Sequence, residues 1–397
     1  MTKVLIADKF PEAYIEELRR NNLEVIVEPG LNADNLAEAA KNVDILVVRS
    51  TVVNEKTINE SEQLNLIIRA GAGYNNIDVA AANKKGVYVA NCPGKNAVAV
   101  AELTIGLMLS LDRRIPDNVS DFRKGIWNKS EYSKANGLMG KTLAIVGYGN
   151  IGREVAKRAK EFGMSIYAKD ISRIEGYGVK TFDEFSKMLP TADVISIHLP
   201  ETPETKNLFN KEMLSYMKDG AYLINTSRPG VIDEEALIEA VKSKKLRVAL
   251  DVFSDEPSGK SGEVHSRLME LDNVYVTHHI GASTEQAQNA VAEETVKIIL
   301  TFIQSGVIAH WINRAQKTPT SYQLVVKHYD RPGVLASVLD VLRQDDINIE
   351  EMENIIFDGG VVACCTMKLD KAASSEMLNE MKANKNVLTV SHVSTEN

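Results

Sequence analysis

One stretch constrains the fold more than any other: "TLAIVGYGNIGREVAKRAKEFGMSIYAKD", residues 142–170. An apolar β-run ends at Gly147, and Gly147, Gly149 and Gly152 supply the spacing G-x-G-x-x-G. Ile151, Val155, Ala156, Ala159 and Phe162 then recur at helical spacing. Such glycines permit a tight turn, backbone approach to a pyrophosphate, and close packing of helix on strand. The helix start adds free N–H groups and a partial positive charge for the anion. A second strand ends at Asp170, where a carboxylate can meet ribose hydroxyls. The glycine spacing alone is a weak signal. Flanked by strand, helix and terminal acid, it predicts a dinucleotide-binding β-α-β unit. The Asp170 carboxylate repels a 2′-phosphate and so favours NAD over NADP, a preference that Lys169 and Arg173 soften without reversing.

Around this unit the chain alternates. "KVLIAD", "LEVIVE", "DILVVRS", "LNLIIRAGAG" and "GVYVANC" read as strands, separated by helical patterns such as "PEAYIEELRRN". A helix is expected from about Ala97 to Leu111, and a polar loop, "KGIWNKSEYSKANGLMGK", leads into the glycine motif. "DVISIHLP", "GAYLINTS", "RVALDVF" and "VYVTHH" extend the second series, and "STEQAQNAVAEETVKIILTFIQSG" closes it as one long helix. This alternation predicts an α/β chain with parallel sheets. "HWINRAQKTPTS" reads as a linker. From Tyr322 the order β-α-β-β-α-β describes a ferredoxin-like unit with seven basic and twelve acidic residues.

At 397 residues the chain is expected to hold two or three domains. A net charge of −8 argues against nucleic acid as a partner, because a phosphate backbone needs a basic face. "MTKVLIADKFPEAY" lacks a secretory apolar region, and the most apolar stretch, "AVAVAELTIGLMLSL", carries Glu102, so no membrane segment is expected. Cys92, Cys364 and Cys365 are too few and too poorly spaced for a disulfide framework or zinc ribbon. A cytoplasmic location is the expectation.

Three further signals fall just past strands, where open α/β sheets bind ligands. "LINTSRPG" presents Arg228, "ALDVFSDEP" presents Asp251 and Glu256, and "VTHHIGAST" presents His278 and His279. Each has a bland reading: a surface arginine, a solvated glutamate, a strand-capping histidine. Their shared position after successive strands favours chemistry between a 2-hydroxy acid and a 2-keto acid. Arginine would hold and polarise the acid, histidine would carry the proton, and glutamate would orient the imidazole. A metal site is disfavoured, since no further ligands join the two histidines at a recognisable spacing. Arg49 and Arg69 end two earlier strands, with Ser50, Gly71 and Gly73 beside them as hydroxyl and backbone donors. They suit a phosphate or a second carboxylate, or else pair with surface acids. Lys129, after Trp127, is a weaker candidate for the same anion.

The glycine loop, "NTSRPG", "DVFSDEP" and "HHIGAST" together resemble the D-isomer-specific 2-hydroxyacid dehydrogenases. "VRS", "RAGAGYNNID", "NAVAVAEL" and the C-terminal unit resemble the branch of that family acting on a phosphorylated 2-hydroxy acid. The resemblance implies two Rossmann-like doubly wound domains, the substrate domain discontinuous, plus a C-terminal ferredoxin-like ACT domain. The implied boundaries are 1–96 and 285–314 for the substrate domain, 97–284 for the NAD-binding domain, 315–320 for the linker and 321–397 for the ACT domain. It assigns catalysis to Arg228, Glu256 and His279. NAD would be lined by Gly147, Gly149, Asn150, Ile151, Gly152, Asp170, Leu199, Thr226, Ser227, Arg228, Asp251, His279, Gly281 and Ala282, with Asp251 on the nicotinamide amide. Arg49, Ser50, Arg69, Gly71 and Gly73 would join Arg228 and His279 around the substrate.

Three residues depart from the family pattern, and one of them, Asp330, stands where asparagine is common. His278 stands where proline is common, and Pro229 stands where glycine is usual; Pro229 should hold Arg228 to extended backbone angles. The implied function is NAD-dependent oxidation of 3-phospho-D-glycerate to 3-phosphohydroxypyruvate, the entry to serine synthesis. Alternatives are an unphosphorylated acid such as glyoxylate, hydroxypyruvate or 2-hydroxyglutarate, and a non-enzymatic dinucleotide-sensing corepressor. The C-terminal unit resembles a sensor that pairs with another copy. It implies a homodimer or homotetramer and an L-serine effector held by His328, Asp330 and Asn348 around the "DRPG" turn.

Overall fold

Short apolar runs form strands buried on both faces, as parallel sheets covered by helices require. The structure, a computed structural model of the chain, describes residues 1–174, 178–257, 262–315 and 322–394. It divides into two units, Met1–Asn313 and Arg314–Asn397.

The first unit holds two parallel sheets. One comprises β1 (Lys3–Ile6), β2 (Glu24–Val27), β3 (Ile45–Val48), β4 (Leu66–Arg69) and β5 (Tyr88–Asn91), in the order β2-β1-β3-β4-β5. The other comprises β6 (Thr142–Val146), β7 (Ser165–Lys169), β8 (Val179–Thr181), β9 (Val194–Ile197), β10 (Tyr222–Asn225), β11 (Arg247–Leu250) and β12 (Val274–Val276), in the order β12-β11-β10-β9-β6-β7-β8. Strand β8 is an addition to the sequence reading: it is three residues long and barely apolar. In both sheets the direction of strand addition reverses beside the first strand, which opens a crevice at the carboxyl ends.

The chain crosses between these lobes twice. After β5 it enters the Ala97–Arg113 helix, which packs with the Asn150–Glu161 helix on the second sheet. After β12 the Glu285–Ser305 helix returns, and its Val291, Val296, Ile298 and Ile299 join Val4, Ile6, Ile45 and Ile68 in the core of the first lobe. Two parts of the sequence reading change. A short helix, Lys129–Tyr132, interrupts the polar loop. The start of the expected linker is not free: Ile312 N–H donates to the Val89 carbonyl at 2.8 Å, and Asn313 Oδ1 accepts from Val89 N–H at 2.9 Å. Residues 316–320 of that linker lie outside the described residues.

The second unit is a βαββαβ sheet of β13 (Tyr322–Tyr329), β14 (Ile349–Ile356), β15 (Val362–Leu369) and β16 (Val387–Ser394), antiparallel in the order β14-β15-β13-β16. Helices Val334–Gln344 and Ser375–Ala383 cover one face. Strand β14 is an edge, and almost all of its residues are exposed. Tyr322 and Ile349 both pair with Leu369, so β13 and β14 begin at the same end of the sheet. Within one copy the expected effector residues stand apart: Asn348 precedes β14, whereas His328 and Asp330 lie at the far end of β13. At ~3.4 Å per residue that separates them by roughly 20–25 Å. Among the described residues, no helix is long and apolar enough to cross a membrane.

Candidate active site

Each glycine of the motif has a separate reason. Gly147 has φ +92°, and a Cβ there would meet the His198 carbonyl and the Leu199 side chain. A Cβ on Gly152 would collide with the Gly147 carbonyl and press on Ile145, so its absence lets helix lie on strand. Gly149 faces open space and precedes the Asn150–Glu161 helix, whose first N–H groups receive no side-chain cap. That is a cradle for a pyrophosphate. Asp170 closes the loop: its Oδ2 accepts Tyr148 N–H at 2.5 Å and its Oδ1 accepts Ser172 N–H at 2.9 Å. A carboxylate has about four acceptor positions, so two stay open for ribose hydroxyls. Lys169 turns away, its Nζ donating to the Asp183 carbonyl at 2.5 Å. His198, beside Gly147, bonds Ser196 Oγ through Nε2 at 2.8 Å, and burial pushes it down to about 3, so it stays neutral.

The next three strands deliver the reacting groups. Asn225, at the end of β10, organises the following turn: its Oδ1 accepts from Ser227 N–H at 3.0 Å and Ser227 Oγ–H at 2.7 Å, and its amide donates to the Arg228 carbonyl at 2.9 Å. Thr226 Oγ1 meets Thr104 Oγ1 at 3.0 Å, tying the turn to the Ala97–Arg113 helix. Arg228 is extended, with φ −140° and ψ 140°, as Pro229 demands. Its guanidinium runs across to the other lobe, where Nε approaches Asn75 Oδ1 at 3.4 Å and Nη2 lies over Gly73.

Asp251 ends β11 and builds the histidine loop. Its carbonyl accepts His279 N–H at 2.9 Å; its carboxylate accepts Thr277 Oγ–H at 2.6 Å, Ile280 N–H at 2.9 Å and Gly281 N–H at 2.8 Å. One acceptor position stays open for a nicotinamide amide. His279 has φ +52°, unusual for a residue with a side chain. Glu256 Oε2 meets His279 Nδ1 at 2.8 Å, while Glu256 Oε1 accepts Phe253 N–H at 3.0 Å. The Nδ1 contact orients the ring and leaves Nε2 for a proton. The His278 ring makes no hydrogen bond among the described residues, although it borders the same cleft.

That cleft, about 1480 Å³, brings Arg228, Glu256 and His279 together with Arg49, Ser50, Arg69, Gly71 and Gly73. Lys129 is not among its lining residues. Arg69 lies over Gly71, which has no room for a Cβ; the Gly71 N–H donates to the Arg69 carbonyl, so what Gly71 gives the cleft is space. Burial first, then the charges of Arg228 and Arg49, pulls Arg69 down to about 10. Arg228 is likewise lowered by burial, against the opposing pull of Glu201 and Glu256.

Sequence reasoning missed Asp8, 6% exposed, whose Oδ2 accepts the N–H groups of Arg49, Ser50 and Thr51 at 2.7, 3.0 and 3.1 Å and so shapes the arginine loop. The available signal was an acid ending the first buried strand, "VLIAD". It also missed Asn96, Glu201 and Gln288, all bordering the cleft. Asn96 occupies a helix N-cap position without capping it, which leaves its amide for the cleft.

Two doubly wound lobes, a glycine-loop cradle and an arginine–glutamate–histidine cleft define a dinucleotide-binding protein with a small-acid pocket. A family model described as "D-isomer specific 2-hydroxyacid dehydrogenase, NAD binding domain" matches residues 105–281. The chain is 42% identical over 318 residues to the D-3-phosphoglycerate dehydrogenase of Methanocaldococcus jannaschii, covering 78% of this chain and 59% of that one. It is 44% identical over 284 residues to the hydroxypyruvate reductase of Thermotoga maritima, covering 71% and 92%. The solved NAD+-bound 3-phosphoglycerate dehydrogenase of Entamoeba histolytica superposes with TM-score 0.66 at 30% identity, covering 79% of this chain and 99% of that one. The chain belongs to the D-isomer-specific 2-hydroxyacid dehydrogenase family, and NAD is the dinucleotide that its second lobe serves.

Proposed function

We propose that the chain oxidises 3-phosphoglycerate to 3-phosphohydroxypyruvate with NAD. The observation that carries the substrate is the convergence of Arg49, Arg69 and Arg228 on one cleft, none of them in an ion pair among the described residues. One guanidinium suffices for the carboxylate of a simple 2-hydroxy acid. Two more, half-buried near each other, call for a second, multiply charged anion such as a phosphate.

Arg228 holds the substrate carboxylate and polarises the C2 oxygen. His279 Nε2 takes the C2 hydroxyl proton on oxidation and returns it on reduction, with Glu256 fixing the ring and offsetting its charge. NAD, when bound, accepts the hydride from C2. Arg49, Ser50 and Arg69 hold the phosphate in a loop fixed by Asp8. A second reading, reduction of hydroxypyruvate, is favoured by the 44% identical relative, which aligns to 71% of this chain. NADH oxidation with phosphohydroxypyruvate, hydroxypyruvate and glyoxylate separates the two. Efficiency highest for phosphohydroxypyruvate supports the first reading; equal or better use of hydroxypyruvate supports the second.

The enzyme is read as a homo-oligomer. The Ile115–Arg123 helix buries no residue and turns Ile115, Val119 and Phe122 outward on one face, near a Trp127 that is 82% exposed. The second unit is read as a serine sensor that acts between two copies through the open edge of β14. Three free cysteines fit a cytoplasmic enzyme.

A further inference from the structure

The cleft collects cations for an anionic acid, yet beside Arg228 it also keeps an acid whose carboxylate has no hydrogen bond among the described residues. Asp8 accepts three backbone N–H groups. Glu256 is engaged by Phe253 and His279. Asp34 stands on the loop after β2, in the other lobe. Glu201, on the loop after β9, borders the cleft alongside Arg228 and has no such partner. Its carboxylate lies against Gly230, where any Cβ would collide with it. The turn that presents Arg228 therefore also receives Glu201. Of the acids acting on Arg228, Glu201 exerts the largest pull, ahead of Glu256.

We propose that Glu201 limits how tightly the cleft holds anionic acids, in proportion to the charge of the acid. The proposal rests on the reading of the cleft as an acid site. Arginines that bind a carboxylate and phosphate bind substrate and product alike, and such uniform binding slows release without lowering the barrier. An opposing charge beside Arg228 weakens both equally and keeps the product exchangeable. Coulomb energy grows with the ligand's charge, so the penalty falls most heavily on the most charged acid. Glu201 thus tunes selectivity between phosphorylated and unphosphorylated acids by charge.

The test compares wild type with Glu201→Gln and Glu201→Asp. For Glu201→Gln, KM should fall about two- to threefold for singly charged glyoxylate and roughly tenfold or more for phosphohydroxypyruvate, the effect shrinking at high salt. Sulfate binding to the NADH-loaded protein, read by calorimetry, should tighten about fivefold by the same Coulomb scaling. Glu201→Asp, which keeps the charge, should stay near wild type, and NADH affinity should be unchanged throughout. Equal factors for both acids, unchanged or weaker sulfate binding, or an effect confined to NADH would each overturn the proposal. If no acid is turned over, the dehydrogenase reading fails while the sulfate measurement still decides the role of Glu201.

Discussion

Gly73 lies directly beneath the Arg228 guanidinium, and the two residues belong to different lobes. A Cβ at position 73 would overlap Arg228 Nη2, so the arginine takes this particular path because that residue is glycine. Gly73→Ala should therefore behave as a partial loss of Arg228. Charge-assisted hydrogen bonds contribute about 1.5–3 kcal/mol, so KM for the acid should rise roughly ten- to hundredfold. NADH affinity, set around Gly149 and Asp170, should hold. Steady-state kinetics paired with NADH titration check this, and an unchanged KM would mean that Arg228 finds another path.

The two histidines should separate sharply. His279 has the Glu256 contact and a loop built around it, whereas the His278 ring has no hydrogen bond among the described residues. His279→Ala should lower kcat by about a hundredfold to ten-thousandfold, the usual contribution of a general acid/base, with NADH binding kept. His278→Ala should cost little. The reverse pattern would exchange their roles.

Asp251 carries a prediction that the sequence alone does not support. Asp251→Ala removes the acceptor for the Thr277 hydroxyl and the Ile280 and Gly281 amides, in a residue 1% exposed. Unpaired buried donors cost about 1–3 kcal/mol each, so the variant should lose several degrees of melting temperature. It should lose turnover too, because His279 hangs from the same loop. Loss of activity with an unshifted melting temperature would point instead to a purely nicotinamide-binding role.

What was legible in the sequence was local. The glycine motif reads correctly because the turn, the open approach and the helix contact all arise within residues 147–152. Pro229 could be read because proline constrains its immediate neighbour. Asp8 and Glu201 were not legible, since Asp8 acts on Arg49 across 41 positions and Glu201 comes to the same cleft as Arg228 only after two strands pair. The place of Asn348 was not legible for a related reason: the resemblance grouped it with His328 and Asp330, while strand direction carries it to the other end of the sheet within one copy.

The cluster of arginines should make stability depend on anions and pH. Arg69 lies below its ordinary value, at about 10, because burial first and then Arg228 and Arg49 oppose its charge. With the folded value below the unfolded one, charged Arg69 opposes folding at every pH below about 10, and the opposition fades as pH rises through it. A bound anion relieves it at neutral pH. Sulfate should raise the melting temperature, with about 2.7 kcal/mol of stabilisation at a hundred times its Kd. Arg69→Met should melt higher than wild type without sulfate and respond less to it. A lower melting temperature for Arg69→Met in sulfate-free buffer would show that the arginine supports the fold.

The regulatory reading makes its strongest demand on assembly. His328 is 2% exposed, with Nδ1 on the Tyr329 carbonyl at 2.8 Å and Nε2 on Asn354 Oδ1 at 3.2 Å. Asn348 lies at the opposite end of the sheet, its amide donating to Glu350 Oε1 at 2.9 Å. No single copy can close these groups on one small amino acid. If two copies pair antiparallel along β14, the start of one β14 meets the end of the other. Asn348 of one copy then approaches His328 and Asp330 of its partner, giving two sites per pair. His328→Ala and Asn348→Ala should each abolish serine binding when every subunit carries the change. Mixed and reannealed, the two variants form hybrids in which one site is broken twice and the other is intact. Serine binding should therefore return in the mixture at about one site per hybrid pair, as read by calorimetry against either variant alone. No recovery in verified hybrids would mean that serine is not held between the copies by these residues.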